Sequence, residues 1–327
     1  MISPFPPSSS APGEGRLVVQ RLPHAVSALS TMTFQYPLKL ISPSPTTHQK
    51  SLLVFLLTYG GGLVGGDKVH LVVEVQADAR LSVATQGHTK IFKSPSLDVV
   101  TQQALHVNVL PGAALCLLPD PVQPFAGSVY EQYQKVTLQH GASLCLLDWV
   151  SAGRSARGEN WEFRRWSSRN EVWTSVPGEP RPRMLLRDNV QLQADPEADE
   201  LLKKKMQGLE VFGTLFLHGP MTERLAAFFL AEFGTLPRIG ARDFRSPATV
   251  DRDDRKPLSR RESWRRARRE QEDRDAVHWS AAKVRGCAVV KFAARSVEGS
   301  RTWIASMLAE EGSISAQFGE EALICLS

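Results

Sequence analysis

Three stretches of the chain share one template, and that repetition limits the possible folds more than any other feature. "VEVQADARLSV" (Val73 to Val83), "VNVLPGAALCL" (Val107 to Leu117) and "VTLQHGASLCL" (Val136 to Leu146) each place two alternating apolar residues before a turn and two after it. The pairs are Val73/Val75 with Leu81/Val83, Val107/Val109 with Leu115/Leu117, and Val136/Leu138 with Leu144/Leu146. Period 2 is the signature of a strand with one buried face. The turns hold Asp78, Gly112 and Gly141, residue types that tolerate left-handed or tight conformations. Each unit therefore reads as strand, tight corner and strand, recurring about every 30 residues, a period that marks repeat architectures. One unit cannot bury its apolar face alone, so the copies must stack.

Further strands are expected at "EFRRW", "EVWTSV", "MLLRDNVQL" and "GCAVVKFAA". Helical spacing appears only later, in "ADELLKKKMQGLE" (Ala198 to Glu210), "TERLAAFFLAEFG" (Thr222 to Gly234) and "SRTWIASMLAEEG" (Ser300 to Gly312), the last two closed by a glycine. The expected fold class is mainly β, with stacked β-layers (solenoid-like or two-sheet) and a smaller α-helical subdomain.

Upstream of the repeat, "GGGLVG" (Gly60 to Gly65) matches the G-x-G-x-x-G spacing of dinucleotide-binding turns. That fingerprint works only where a helix follows, because the pyrophosphate sits on the free N–H groups of a helix N-terminus. Here Val69, Leu71, Val73 and Val75 alternate with Lys68, His70, Val72 and Glu74, which is a strand pattern. The glycines join strand to strand, and no nucleotide or other organic cofactor is implied.

The 327 residues are 42% hydrophobic and 22% charged, ordinary values for a globular chain. No apolar run approaches the roughly 20 residues that span a bilayer, so no membrane association is expected. The start, "MISPFPPSSSAPGEG", lacks the basic and apolar regions of a signal peptide and reads as a disordered arm over 1–15. Cys116, Cys145, Cys287 and Cys325 lie far apart in apolar surroundings, as buried reduced thiols do, which fits a cytoplasmic protein. Residues 16–327 read as a single domain, interrupted by a charged insert at about 242–275. In the insert, Ser259 and Glu262 form a capping box, and a solvated helix from about Arg260 to Arg274 is expected, flanked by disorder. The net charge of +5 resides largely there, with acids interleaved that dilute any grip on phosphate.

Enzymatic signatures are absent: there is no G-x-S-x-G, H-E-x-x-H, D-x-D-G or C-x-x-C pattern, and no histidines at the spacing of a local metal pair. Ligands converging from separate strands stay open. Three polar clusters remain. Gly65-Gly66-Asp67 sets a carboxylate after glycines, either as a turn cap or as a ligand for a cation. "TQGHTKIFKS" packs Thr85, Gln86, His88, Thr89 and Lys90 after a strand, either to satisfy buried backbone or to line a site. "DWVSAGRSARGENW" carries Asp148, Arg154, Arg157 and Glu159, where arginine–carboxylate pairing is the plain expectation.

"YPLKL" (Tyr36 to Leu40), "GGLVGGD" (Gly61 to Asp67), "TQGHTKIFKS", "AGRSARGE" (Ala152 to Glu159) and "GTLFLHGP" (Gly213 to Pro220), in this order, resemble the urease accessory protein family called UreD or UreH, in a eukaryotic, fungal-like member. The resemblance runs from about Arg16 to the end, with the charged insert outside the common pattern. It implies a solenoid-like β-protein and a non-catalytic scaffold or chaperone. Such a protein binds UreF, recruits the GTPase UreG and docks on apo-urease, so that nickel reaches the metallocentre. Oligomers are then expected only within the accessory complex. Nickel would be cargo in transit, and Asp67, with Asp148 and Glu159 behind it, is the implied relay. Gly65, Gly66, Thr85, Gln86, Thr89 and Lys90 carry the structural motif. Carboxylate oxygen suits an ion in transit, because thiolates or several imidazoles would hold it too tightly.

Two other functional classes have a foothold in the sequence. The arginine-rich insert would make this a nucleic-acid-binding β-protein, with steeply salt-dependent affinity for a random duplex. A hydrolase with a nonlocal site in the TQ-x-x-TK loop would need a nucleophile–base pairing that the sequence does not display.

Overall fold

Seventeen strands and five helices are described in a computed structural model covering residues 11–44, 49–175, 178, 181–193, 202–236 and 259–327. The strands are β1 (Glu14–Arg21), β2 (Ser27–Phe34), β3 (Leu38–Ile41), β4 (Leu52–Thr58), β5 (Lys68–Val75), β6 (Arg80–Ala84), β7 (Thr89–Ile91), β8 (Thr101–Val109) and β9 (Ala114–Leu117). They continue with β10 (Val122–Pro124), β11 (Val129–Leu138), β12 (Ser143–Ser151), β13 (Arg165–Thr174), β14 (Arg183–Gln193), β15 (Val211–His218), β16 (His278–Val284) and β17 (Cys287–Ala294). The helices are α1 (Leu202–Lys205), α2 (Glu223–Gly234), α3 (Arg260–Asp275), α4 (Val297–Glu311) and α5 (Ser313–Phe318).

The three template copies stack in register. Val73, Val107 and Val136 are parallel neighbours in one sheet, as are Val75, Val109 and Leu138. Leu81, Leu115 and Leu144 are parallel neighbours in the other, as are Val83, Leu117 and Leu146. The chain thus coils between two sheets, leaving through β5, β8 and β11 and returning through β6, β9 and β12. The corners Asp78, Gly112 and Gly141 have φ of 60°, 68° and 70°, the left-handed region expected of them. Backbone bonds tie corner to corner, Asp78 N to Pro111 O at 3.0 Å and Gly112 N to His140 O at 3.2 Å.

Strands β1, β4 and β13 extend the coil in parallel, and the strands beyond them, with β15 beside β12, pair antiparallel. The first sheet runs β14-β13-β11-β8-β5-β1-β2 and the second β16-β17-β15-β12-β9-β6-β4-β3, with β10 beside β12 and β7. One apolar core fills the space between the sheets; a second lies between the outer face of the second sheet and α2, α4 and α5. Strand β12 shows how one sequence serves both. Leu144, Leu146 and Val150 face the inter-sheet core, while Cys145, Leu147 and Trp149 face the helices. All nine residues of β12 are buried, as a strand covered on both faces requires.

Several expectations are refined. "EFRRW" and "EVWTSV" contribute to one strand, β13, whose ten residues pair in parallel with β11. Only Leu202–Lys205 of the 198–210 helix is helical, and residues 198–201 lie outside the described residues. β1 begins at Glu14, inside the expected 1–15 arm, of which residues 1–10 lie outside the described residues. The glycine run leads into β5, a strand with alternating burial, and a nucleotide fold is excluded there. All four cysteines are buried and free. Among the described residues, no helix is long and apolar enough to cross a membrane.

The charged insert differs most. Residues 242–258 lie outside the described residues, but α3 is present with its full capping box: Glu262 N donates to Ser259 Oγ at 3.3 Å and Ser259 N to Glu262 Oε2 at 2.8 Å. It is not solvated all round. Arg268 is 2% exposed, between the rings of Trp264 and Trp279 at 5.4 and 5.5 Å. Glu232 of α2, fully buried, accepts from Arg265 at 2.7 Å and Arg261 at 3.0 Å. The arginines that make the segment look like a water-facing insert are partly what fastens it, because a buried carboxylate demands charged partners.

Candidate functional site

The inward positions of β11 and β13 change character part-way along. Val136 and Leu138 continue backwards as Gln134, Gln132 and Tyr130, all buried, opposite Asn170, Ser168 and Trp166 of β13. On the facing sheet, the Leu144/Leu146 row of β12 continues as Asp148. These residues form a polar seam inside the inter-sheet core. Gln132 Nε2 donates to Asp148 Oδ1 at 2.8 Å; Ser168 Oγ and Asn170 Nδ2 donate to Oδ2 at 2.5 and 2.6 Å. Gln134 Nε2 holds Asn170 Oδ1 at 2.9 Å, and Tyr130 OH donates to Gln132 Oε1 at 3.1 Å.

The seam has a charged continuation. Thr214 of β15 and Lys291 of β17 follow Asp148 in register across the second sheet. Asp188 of β14 lies opposite Asn170 in the first. Lys291 Nζ bridges the sheets, 2.8 Å from Asp188 Oδ1 and 3.3 Å from Thr214 Oγ1. The Lys291 side chain is 37% exposed and Asp188 17%, whereas Asp148 is 8% exposed, so the seam runs from the interior toward the β14/β17 side.

Burial pushes the Asp148 carboxyl above its ordinary range, against the three donors that favour its charge, with Asp188 adding to the rise. Burial likewise raises the Tyr130 phenol. The groups around Asp148 are amides, hydroxyls and a carboxylate, and oxygen donors of this kind suit hard cations better than soft ones.

The two quoted motifs meet each other elsewhere. Leu63 N donates to Lys90 O at 2.8 Å and Phe92 N to Leu63 O at 2.9 Å. A Cβ on Gly62 would lie 2.6 Å from Phe92 Cε2, and one on Gly65 3.1 Å from Lys93 O, so close backbone approach accounts for those glycines. Gly66, at φ 93°, donates to Thr101 Oγ1 at 3.2 Å. Asp67 is half-buried and closes the turn: Val64 N donates to its Oδ2 at 2.8 Å, and its own N–H to Val64 O at 2.9 Å.

Thr85 is buried and trades bonds with Asp120: its Oγ1 donates to Oδ2 at 3.0 Å and accepts from Asp120 N at 2.7 Å. Arg301 of α4 donates to Asp120 Oδ1 at 2.9 Å, and Cys325 Sγ to Thr85 O at 3.3 Å. Gln86 is exposed beside them, lining a cleft of about 440 Å³ with Phe55, Leu57 and Ile324. Thr89 N donates to Pro121 O at 3.3 Å, and the Lys90 side chain is exposed. The TQ-x-x-TK loop thus anchors the chain's C-terminal residues to the second sheet.

Glu159 sits in the loop after β12, bound by Arg154 Nε at 2.9 Å and Arg154 N at 3.1 Å. Burial alone would raise its pKa, but these bonds outweigh it and hold the carboxyl below its usual range. Asp148 is not part of that arginine–carboxylate loop, being at mid-strand. Asp67, Asp148 and Glu159 therefore occupy three separate hydrogen-bonding settings. Among the described residues, no group of three or more His, Cys, Asp or Glu side chains is arranged to hold a metal ion. Sequence reasoning missed the partners of Asp148. The available signal was "YEQYQKV", where the inward row of a strand turns from valine to glutamine, a costly choice in a core unless partners wait across the gap.

The UreD urease accessory protein family model matches residues 11–323. A Schizosaccharomyces pombe protein named as an uncharacterized urease accessory protein, ureD-like, is 32% identical over 302 residues, covering 92% of this chain and 94% of its own. Urease accessory protein UreD of Sorangium cellulosum is 40% identical over 219 residues, 67% of this chain and 65% of its own. Urease accessory protein 4 of Cryptococcus neoformans is 33% identical over 241 residues, 66% and 73%. With a coil of in-register β-layers, a polar seam through its core and a match over nearly all its length, the chain belongs to the UreD family of urease accessory proteins.

Proposed function

We propose that this protein works with UreF and UreG as a non-catalytic scaffold that delivers nickel to apo-urease, and that the inter-sheet seam around Asp148 is part of the ion's route. The observation that supports this most is the seam itself: an oxygen-rich row buried around Asp148 and part-exposed where Asp188 pairs with Lys291, in a family of urease accessory proteins. Nickel is cargo here. Carboxylate, amide and hydroxyl oxygens exchange readily, and none of the described cysteines or histidines bonds directly to Asp148. Asp67 and Glu159 remain relay candidates whose present bonds, to Val64 N and to Arg154, would have to open for the ion. The nucleic-acid reading loses support, because α3 spends Arg261, Arg265 and Arg268 on internal carboxylates.

The test is urease activity and urease nickel content in a host lacking its own UreD-type gene, supplied with this chain and its cognate urease set. The parent chain is expected to restore both. Asp148→Asn, with UreF binding intact, is expected to lower nickel content at least severalfold. Failure of the parent chain with the cognate set, together with absence of UreF binding, would overturn the reading.

A further inference from the structure

The outer face of the first sheet carries a pair of imidazoles that the seam does not use. His70 of β5 and His106 of β8 are 36 positions apart in sequence. The stacked template brings their strands side by side, with His70 level with Ala104 and His106 two residues further along. The small side chain of Ala104 leaves room for the rings to converge. His70 Nε2 lies 3.3 Å from His106 Nδ1, with ring centroids 4.9 Å apart and the rings at 80°. Tyr133 of β11 closes the far side, its ring 5.5 Å from that of His106 and its hydroxyl held by Glu171 Oε2 at 3.0 Å.

The nitrogen–nitrogen distance, that of one shared hydrogen bond, also fits one shared tetrahedral ion. Two imidazoles on one tetrahedral zinc ion, each bonded at about 2.0–2.1 Å, stand about 3.3–3.4 Å apart. Cis ligands on an octahedral ion at about 2.1 Å stand closer, near 3.0 Å. The charges around the pair are of both signs. Glu14 of β1 is level with His70 on the same face. Lys135 of β11 is level with His106 and its charge opposes a cation there, although its ammonium also lies over the Trp173 ring of β13 at 5.2 Å. Both rings are half-buried, which leaves water to complete the coordination.

We infer that His70 and His106 form a surface site for a tetrahedral, zinc-class divalent ion, separate from the oxygen-lined seam. The ion replaces the single proton that the two facing nitrogens otherwise share, and it pins β5 to β8 on the outer face. The preference runs opposite to that of the seam: nitrogen donors that retain an ion, against oxygens that release one.

The experiment is titration of the purified, metal-free full chain with Co²⁺, read by the visible bands that are intense only for tetrahedral cobalt, followed by displacement with Zn²⁺. One equivalent of tetrahedral cobalt, displaced by zinc, is expected. His106→Gln and His70→Gln should each weaken it at least about tenfold, since losing even an outer-shell partner of a ligand costs about 10–100-fold. Circular dichroism of both variants shows that the fold persists, and His70→Gln, on the other strand, covers a folding failure of His106→Gln. Asp148→Asn should leave the cobalt spectrum unchanged. Binding that is octahedral, that is unaffected by both histidine variants, or that is lost in Asp148→Asn would overturn the inference.

Discussion

Asp148 and Glu232 are both buried carboxylates, yet their surroundings drive them in opposite directions. Glu232 faces three arginines; hydrogen bonds from Arg265 and Arg261, with the charges of Arg265 and Arg268, outweigh the burial that opposes its own charge, so its folded pKa falls. Its stabilising contribution is complete above its unfolded value of about 4.3 and is lost as pH drops through the folded one. Glu232→Gln leaves Arg268 with Glu272 as its remaining carboxylate and removes the charge that Arg261 and Arg265 bond, and a loss of about 1.5–3 kcal/mol is expected in urea denaturation at pH 7. Asp148 has only neutral donors, and burial raises its folded pKa. The fold then binds the proton more tightly than the unfolded chain does. Its share of stability is greatest below about pH 3.9 and declines as pH rises through the folded value. In Asp148→Asn that decline should vanish from the stability–pH profile; an unchanged profile would show that the carboxyl ionises freely. Asp148 itself was visible in the sequence as a polar residue worth noting. Its true partners were not, because Gln132, Ser168 and Asn170 come from strands 16 to 22 positions away and meet it only across the gap between sheets.

At the scale of elements, the corners decide whether the coil closes. Gly112 and Gly141 share a left-handed backbone, but their neighbours differ. A Cβ at Gly112 would overlap Asp78 Oδ1 of the preceding corner, whereas one at Gly141 would meet nothing nearer than Gly112 N at 3.7 Å. Gly141→Ala should therefore cost only the left-handed strain, about 1–2 kcal/mol. Gly112→Ala should cost that and the displacement of Asp78, and equal Tm losses in the two variants would contradict the stacking of corners. The strand–corner–strand units were legible because alternation and turn residues are local. Sheet membership was not, since it depends on which neighbour each strand finds.

For the whole molecule, the helical layer rests on the second sheet through one aromatic cluster, in which Trp279 and Trp303 stand 5.4 Å apart and both donate to Glu272 of α3. Deleting 260–275 removes Glu272 and the arginines that neutralise Glu232. The variant is expected to be protease-sensitive in its C-terminal third and to have a Tm lowered by several degrees, since about 1 kcal/mol shifts a domain of 150–250 residues by about 2–4 °C. A freely solvated insert would be removed without such a change.

What the sequence determined by itself was whatever depends on near neighbours. The three-fold β template, its left-handed corners, the strand after the glycine run, the capping box at Ser259 and the motifs of the family were all readable from spacing and residue type. Tertiary structure alone decided what depends on distant strands meeting. It made Asp148 the centre of a buried seam, tied Asp67 into its turn and Glu159 to Arg154, drew α3 onto Glu232 and set His70 against His106. The reason is physical. A period or a cap is enforced within a few residues by backbone geometry, while the worth of a buried charge or an imidazole pair is set by groups that only the folded packing brings within 3–4 Å.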